Sequence, residues 1–257
     1  MQRVTALIPA GNEAHQIADA IRSVLWADEV LVVVDASSND GTQAAASGIA
    51  PNVRVVPHEF LSYASQKNWA ISQASHPWIF ALDADERPDA ALIAGVRKVL
   101  EGSPDSDAYW VSRRTHMLGR TLRFGGQSKD RVIRLFSRGC RYQDRPVHEE
   151  VEGYRTIGTL PGHLDHHTFG SWEQFVAKQE KYARLGAEQA HAEGRGAGRS
   201  DVIFRPLHRF VKQYVFRLGF LDGVPGAAAA YLGAYGTFLK YARLWDLDRR
   251  SREASKT

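Results

Sequence analysis

The sequence predicts an α/β fold, with a mostly parallel sheet flanked by helices and a C-terminal helical extension. Three observations carry this prediction. Segments of strand length alternate with segments of helical spacing over residues 4–100. The segment 29–35 is almost entirely Val and Leu, which is typical of strands buried on both faces of a parallel sheet. From residue 171 onwards the apolar residues follow helical spacing instead.

Length and composition fit this architecture. The 257 residues suffice for one large α/β domain with an appended helical segment, and we expect a division into 1–170 and 171–257. A net charge of +4 and a pI near 9.2 suit an anionic substrate, an acidic membrane surface or nucleic acid alike. Cys140, the only cysteine, excludes an intrachain disulfide and a cysteine metal cage. The N-terminus lacks a signal-peptide pattern, so we expect a cytosolic protein.

The elements follow one another in βαβ order. A short strand is followed by apolar residues at helical spacing from residue 17 and then by a second strand, which predicts a right-handed parallel crossover. The predicted strands are 4–8, 29–35, 53–56, 78–82, 108–112 and 132–136. Helices are predicted from residues 17 and 65, over 90–100, and from residue 171.

Two carboxylates end the apolar strand 78–82. Asp83 and Asp85 lie where ligands bind in open α/β sheets, and they need a cationic partner because a buried, unpaired carboxylate is very costly. Oxygen ligands suit Mg²⁺ or Mn²⁺ and point to phosphate chemistry. The alternative is a strand-to-turn exit in which Asp85 caps the helix 90–100. The other Asp-x-Asp pairs, at 105 and 246, lie in a loop and a charged tail, so we interpret them as solvated.

Three further residues are candidates for phosphate or nucleotide contacts. Asp35 also ends a buried strand, and a polar loop follows it. In that loop Asp40 is either a helix N-cap or part of a phosphate-binding turn. Lys67 is either a solvent-facing helix residue, which its spacing favours, or a partner for a diphosphate.

The second half of the predicted sheet contains a basic loop and a histidine cluster. Arginines and a lysine between 113 and 131 are candidates for phosphate or acceptor contacts, or they are simply solvated. His163 and His167 have the spacing of zinc ligands on one helix face, although Pro161 and Gly162 favour a loop or strand there.

The C-terminal region combines apolar and basic residues. A helix begins near Trp172, a flexible linker spans 194–200, and a basic, aromatic amphipathic helix spans 204–221. The last is typical of a peripheral membrane anchor, and packing against the sheet is the alternative. The uncharged segment 223–239 is weakly apolar, which favours a packed or interfacial helix over a membrane span.

Five short motifs, taken in order, resemble the family 2 glycosyltransferases of GT-A fold. The motifs are Pro9, Asn12 and Glu13; Val34–Thr42; Gln66–Asn68; Leu82–Glu86; and Val147–Glu149. This resemblance covers about residues 1–170. The remainder resembles the subgroup that adds sugars to the lipopolysaccharide inner core of Gram-negative bacteria.

The resemblance implies roles for the nucleotide-binding residues. Pro9, Asn12 and Glu13 would shape the first loop of the nucleotide pocket, and Asp35 would contact the uracil or ribose of a UDP-sugar. The chain departs from the common family pattern at Ala36, where a second aspartate often stands.

The resemblance also implies a divalent metal, Mg²⁺ or Mn²⁺. Asp83 and Asp85 match the family's ribose and metal carboxylates, with Asp85 as the metal ligand. His166 or His167 would complete the metal shell. The implied reaction is a single displacement with inversion, for which Glu149 is the expected base and Glu150 the alternative.

The implied partners are a UDP-sugar, with glucose as the default sugar, and a lipid-linked saccharide acceptor at the inner face of the inner membrane. A metal-dependent nucleotidyltransferase is the second enzyme hypothesis, but Gly11–Glu13 is not the Gly-rich phosphate loop it requires. The third hypothesis is a non-catalytic sugar-nucleotide or nucleic-acid binding module. Aromatic residues are sparse in the basic loop, which argues against nucleic acid. The pattern leaves the oligomeric state open.

Overall fold

The computed structural model describes residues 2–127, 130–144, 149–167 and 172–254, except the side chains of Gln174 and Ala254. The chain forms two compact units, which are described in turn. The first contains Met1–Arg113 and Asp130–His166, and the second contains Arg114–Lys129 and His167–Thr257. The sequence does not predict that 114–129 groups with the C-terminal helices.

The described residues contain eleven strands and seven α-helices. The strands are β1 (Val4–Ala10), β2 (Glu29–Asp35), β3 (Val53–His58), β4 (Trp78–Ala81), β5 (Glu86–Pro88), β6 (Ala108–Met117), β7 (Arg120–Thr121), β8 (Arg131–Ser137), β9 (Arg141–Tyr142), β10 (Val151–Glu152) and β11 (Ile157–His166). The helices are α1 (Ile17–Ser23), α2 (Thr42–Ala46), α3 (Tyr63–Gln73), α4 (Ala90–Glu101), α5 (Trp172–Ala192), α6 (Arg199–Val211) and α7 (Gly223–Ala254).

The main sheet of the first unit has the order β3-β2-β1-β4-β8-β6-β11-β5. The strands from β3 to β4 run parallel, whereas β8 is antiparallel to both β4 and β6, and β11 is antiparallel to β5. Since β1, β2 and β4 are parallel neighbours, the loops that follow them leave from one edge of the sheet. The predicted α/β class, with a C-terminal helical extension, is confirmed.

The apolar runs of β1 and β2 divide between two buried clusters, one on each face of the sheet. Ile8 and Val32 pack with α1 and α4, while Leu7 and Val33 pack with α3. Both faces are covered, which explains why the sequence of β2 is apolar at nearly every position. This rigid layer holds the strand ends that carry the polar residues.

Helix α4 does not have the N-cap that the sequence suggested. Asp89, not Asp85, is the N-cap, and its Oδ1 accepts a hydrogen bond from the backbone N–H of Leu92 at 2.8 Å. The interpretation of Asp85 as the helix cap is therefore wrong. Its carboxylate lies elsewhere, at the end of β4.

The second unit is mainly helical. Helices α5 and α7 share a small apolar cluster that includes Ala187, Ala190 and Leu244. The predicted continuous helix 204–221 is wrong, because α6 ends at Val211 and is followed by a π-helical turn, Lys212–Phe216, and a 3₁₀ turn, Gly219–Asp222. Leu218 between the two turns has φ +58°, a left-handed conformation that ends the helix. No helix among the described residues is long and apolar enough to span a membrane.

Candidate active site

Two loops at the carboxyl edge of the sheet are joined to each other. The loop after β1 contains Asn12 in the left-handed conformation, with φ +58°, and it lies against the loop after β2. The backbone N–H groups of Asn12, Glu13 and Ala14 donate to Ser38 Oγ (3.1 Å), Thr42 Oγ1 (2.7 Å) and Asp40 Oδ2 (2.9 Å), and Asn39 N–H donates to Asn12 Oδ1 (3.1 Å). These four bonds fix the first loop in place. Asp40 is thus a structural link between the loops, and α2, which begins at Thr42, has Gly41 as its N-cap and therefore no side-chain cap.

Asp35 ends β2 beside this loop pair. Its Oδ1 accepts hydrogen bonds from the N–H and the hydroxyl of Ser37, each at 2.8 Å. A Cβ at Gly11 would lie 3.4 Å from the Asp35 Cβ, so the first loop passes close to this carboxylate. Pro9 lies in β1 beyond the residues that pair with β4, so its missing N–H costs no hydrogen bond to that strand.

Asp83 follows β4 and is held between two cations. Arg134 Nη2 lies 2.5 Å from Oδ2 of Asp83, and Lys67 Nζ lies 3.3 Å from Oδ1. Burial alone would raise the pKa of Asp83, but the charges of Arg134 and Lys67 hold it well below its usual range. Asp83 is therefore ionised at neutral pH, and 33% of its side chain remains accessible.

Glu86 contacts Asp83 and is completely buried. Its Oε1 is 2.6 Å from Arg134 Nη2 and 3.4 Å from Arg113 Nη1, and its Oε2 accepts a hydrogen bond from the N–H of Asp83 at 3.2 Å. Arg113 also pairs with Asp130 at 2.6 Å. Burial would lower the pKa of Arg134, but the charges of Asp83 and Glu86 raise it. The buried ion pair of Glu86 and Arg134 thus holds Asp83 in place.

The sequence alone does not predict a role for Glu86 or Arg134. One signal was present, since Arg134 interrupts the apolar strand β8 and a charged residue in a buried strand requires a partner. The identity of that partner is a tertiary fact, because Glu86 is 48 residues away.

Lys67 joins Asp83 to Glu149. Its side chain is only 8% exposed, so the interpretation of Lys67 as a solvent-facing residue is wrong. Its Nζ donates to Glu149 Oε1 at 2.8 Å and lies 5.0 Å from the centre of the Tyr142 ring. Burial would lower the pKa of Lys67, but the charges of Asp83 and Glu149 raise it. Val147 and His148 of the last motif lie outside the described residues.

Asn68, the neighbour of Lys67, anchors this side of the site. The backbone N–H of Tyr142 donates to Asn68 Oδ1, and the side-chain NH₂ of Asn68 donates to the carbonyl of Tyr142, each at 2.8 Å. Helix α3 is thereby tied to β9, on which Tyr142 lies. The position of Lys67 is fixed by this pairing as well as by its two carboxylates.

Asp85 lies beside a histidine. His166 Nε2 is 3.2 Å from Asp85 Oδ2, because the last residue of β11 pairs with Glu86, the first residue of β5. The other ring nitrogen of His166, Nδ1, is buried and has no hydrogen-bond partner among the described residues. Both side chains are 14% exposed.

The other two histidines of the cluster have different neighbours. His163 is in strand β11, where its Nδ1 lies 3.5 Å from Asp89, and His167 stacks on His116 with ring centres 4.9 Å apart. Within the described residues, His163 and His167 therefore do not form the considered pair of zinc ligands on one helix face.

The donor atoms at Asp85 and His166 fit a hard divalent cation that is shared with a substrate. No group of three or more His, Cys, Asp or Glu side chains in the described part of the chain could hold a metal. Mg²⁺ and Mn²⁺ are commonly held by one or two protein side chains together with substrate phosphates and water. One carboxylate and one imidazole satisfy that requirement, whereas a closed structural zinc site would need four ligands.

Comparison with known proteins places the chain in a family. The model of the family described as "Glycosyl transferase family 2" matches residues 5–157. A lipopolysaccharide core biosynthesis glycosyltransferase, LpsC of Rhizobium meliloti, is 30% identical over 94% of this chain and 92% of its own length. A glycosyltransferase of Rickettsia typhi is 25% identical over 98% of this chain and 90% of its own.

Solved structures show a more distant likeness. Residues 1–349 of Staphylococcus aureus TarS, in complex with UDP-GlcNAc, superpose with a TM-score of 0.47 and 14% identity, over 97% of this chain and 92% of that one. At that level the likeness carries no inference about ligands.

Proposed function

Because the chain belongs to glycosyl transferase family 2, it is a glycosyltransferase, and we propose that it transfers a hexose from a UDP-sugar to a lipid-linked saccharide. The acceptor we propose is the lipopolysaccharide inner core, in keeping with the activity named for LpsC. One observation carries the proposal: Lys67 joins a carboxylate at the end of β4 to a carboxylate on a separate segment. Two such carboxylates suit the two halves of a transfer reaction.

The donor side of the site comprises the strand-end residues. Pro9, near the end of β1, and Asn12 and Glu13, in the loop after it, shape the first loop of the nucleotide pocket, and Asp35 accepts hydrogen bonds from the uracil or ribose. Asp83 is held ionised by Arg134 and Lys67, so it accepts hydrogen bonds from ribose hydroxyls without needing to lose a proton. Lys67 adds a positive charge for the diphosphate.

A divalent cation, Mg²⁺ or Mn²⁺, belongs at Asp85 and His166. When bound there, the cation would offset negative charge on the departing nucleoside diphosphate. The chain's own contribution is to present one oxygen and one nitrogen donor, 3.2 Å apart, at the end of β4.

The transfer step needs a base on the acceptor side. In the proposed inverting step the acceptor oxygen forms a bond to the anomeric carbon while the bond from that carbon to the diphosphate oxygen breaks. Glu149 takes the acceptor proton. Lys67 Nζ holds Oε1 of Glu149 at 2.8 Å, which orients this carboxylate.

We further propose that the enzyme works in the cytoplasm, peripherally on the inner face of the inner membrane. A lipid-linked acceptor requires the enzyme to meet a bilayer surface. The exposed basic and apolar residues of the second unit suit such a surface.

Donor and metal binding are tested by calorimetric titration with UDP, with and without Mn²⁺. We expect Mn²⁺ to strengthen UDP binding at least about tenfold and Asp85→Asn to remove this dependence, because a cation held by Asp85 would offset the negative charge of the diphosphate. Asp105→Asn is the matched control, since it changes another Asp-x-Asp pair whose first carboxylate accepts from the Tyr109 hydroxyl. Unchanged Mn²⁺ dependence in Asp85→Asn would exclude Asp85 as a ligand.

The base is tested by a pair of neighbouring substitutions. Glu149→Gln should lower the rate of sugar transfer by roughly a hundredfold or more while UDP binding persists, because the amide cannot accept the proton. Glu150→Gln is the matched control, as Glu150 is exposed and adjacent. A wild-type rate for Glu149→Gln together with a slow Glu150→Gln would transfer the role to Glu150.

A further inference from the structure

An apolar turn between α6 and α7 is exposed on the second unit. Six large apolar side chains between residues 215 and 224 are exposed, among them Phe216 at 77% and Val224 at 75%. The six are Val215, Phe216, Leu218, Phe220, Leu221 and Val224. Such a dense exposed cluster on a short segment is unusual for a surface that faces only water and indicates an interaction site.

The turn is held in a fixed conformation. The carboxylate of Asp222 accepts hydrogen bonds from the backbone N–H groups of Arg123 and Phe124, at 3.1 and 2.9 Å. The N–H of Gly125 donates to the carbonyl of Arg217 at 2.8 Å. A Cβ at Gly226 would lie only 2.0 Å from the carbonyl oxygen of Gly219, so the chain crosses itself closely here. The apolar side chains are therefore displayed by a built turn.

Cations from two segments frame the turn. Arg217 is exposed within the turn and Lys212 is exposed just before it, and the segment after β6 adds the exposed residues Arg120, in β7, and Arg123. Residues 199–224 include five Lys or Arg residues and two Asp residues, an excess of three positive charges. Both carboxylates have partners: Asp222 accepts hydrogen bonds from the two N–H groups, and Asp201 pairs with Arg205 at 2.7 Å.

We propose that the turn 215–224 inserts its apolar side chains into the surface of an anionic lipid bilayer, while the surrounding Lys and Arg residues contact the headgroups. Apolar side chains beside a cationic face are the combination that binds such interfaces. A second copy of the chain fits the turn less well, because it would bring the same positive charges together. This inference rests on the proposed function, in which the acceptor is lipid-linked, and it names the surface that reaches the lipid.

The test is co-sedimentation of the full chain with vesicles of phosphatidylcholine, with and without phosphatidylglycerol. We expect binding only to the anionic vesicles and weaker binding at high salt, because salt screens the headgroup charge. The double variant Phe216→Ser, Leu221→Ser should lose at least about tenfold in vesicle affinity. The double variant Lys212→Glu, Arg123→Glu should lose as much.

Matched controls lie on the first unit. Leu61→Ser removes an apolar side chain that is 71% exposed, and Arg97→Glu reverses an exposed positive charge; both should bind vesicles like the wild type. Wild-type chain that stays in solution with anionic vesicles overturns the proposal, as does full binding by the Phe216→Ser, Leu221→Ser variant. If the wild-type chain binds no vesicles but forms a dimer, and the Phe216→Ser, Leu221→Ser variant is monomeric, the turn is a chain–chain interface instead.

The vesicles contain neither donor nor acceptor, so the two proposals fail separately. If the chain binds UDP but not vesicles, only the proposed insertion surface is overturned. If it binds vesicles but not UDP, the proposed donor chemistry is overturned and the insertion surface stands.

Discussion

Arg134 is the cation nearest to both Asp83 and Glu86, and its loss should be costly. Arg134→Met would leave the fully buried Glu86 with Arg113 at 3.4 Å as its remaining cation. Removing one partner of a buried ion pair typically costs about 3–5 kcal/mol, so we expect a loss in the free energy of unfolding of that order at neutral pH. Denaturant unfolding measures it.

The same substitution should have a pH signature. A depressed pKa for Asp83 in the folded state contributes stability above its unfolded pKa of about 3.9, and this contribution is lost as the pH falls through the folded pKa. The gap between wild type and Arg134→Met should therefore be largest near neutral pH and shrink in acid. Arg131→Met, on the exposed start of β8, is the control and should cost little. An equal gap at all pH values would contradict the electrostatic explanation.

At the scale of single residues, the sequence locates the strand-end acids but not the residues that hold them. Asp35, Asp83 and Asp85 are predictable because each follows an apolar run, and parallel strands end at one edge. Pairing of Asp83 with Arg134 depends on β8 lying next to β4, which no local pattern encodes. The roles of these residues in binding and catalysis remain predictions.

Among the elements, β11 depends on one glycine for its approach to α4. Gly162 has φ +79°, and a Cβ there would lie 2.3 Å from the backbone N of Leu92 and 2.5 Å from the capping oxygen of Asp89. Gly162→Ala should therefore lower the free energy of unfolding by about 1–3 kcal/mol from overpacking, in addition to about 1–2 kcal/mol for the left-handed backbone. Because His166 ends the same strand, the Mn²⁺ dependence of UDP binding should weaken too.

Gly48→Ala separates the two costs. Gly48 has a similar φ of +73°, but nothing lies within 4 Å of a Cβ placed there. This control carries the backbone strain alone, so thermal unfolding of the two variants side by side isolates the collision with α4. Equal losses of stability would show that β11 tolerates the added methyl group.

The accuracy of prediction for the elements follows from their burial. Strand β2 has the predicted bounds, because a strand covered on both faces leaves a continuous apolar run. The segment 204–221 has apolar residues at helical spacing, yet it breaks into α6 and two short turns. Spacing alone does not reveal the close crossing of Gly219 and Gly226 that folds this chain back on itself.

For the whole molecule, the family match and the sheet together confirm the predicted GT-A type of α/β fold. The parallel strands β1, β2 and β4 carry the residues we assign to the donor, and antiparallel β8 supplies the arginine that holds one of them. The order of the first strands follows from βαβ rules. The position of β8 between β4 and β6 does not follow from those rules, because an antiparallel neighbour can come from any later part of the chain.

The bridge made by Lys67 bears on any attempt to redesign this enzyme. One ammonium group contacts Asp83, which we assign to the donor, and Glu149, which we assign to the acceptor. Energies of residues that share a partner do not add. A library that varies the donor pocket while holding the acceptor side constant would therefore disturb both. Positions 67, 83 and 149 are better treated as one unit, to be varied together or left alone.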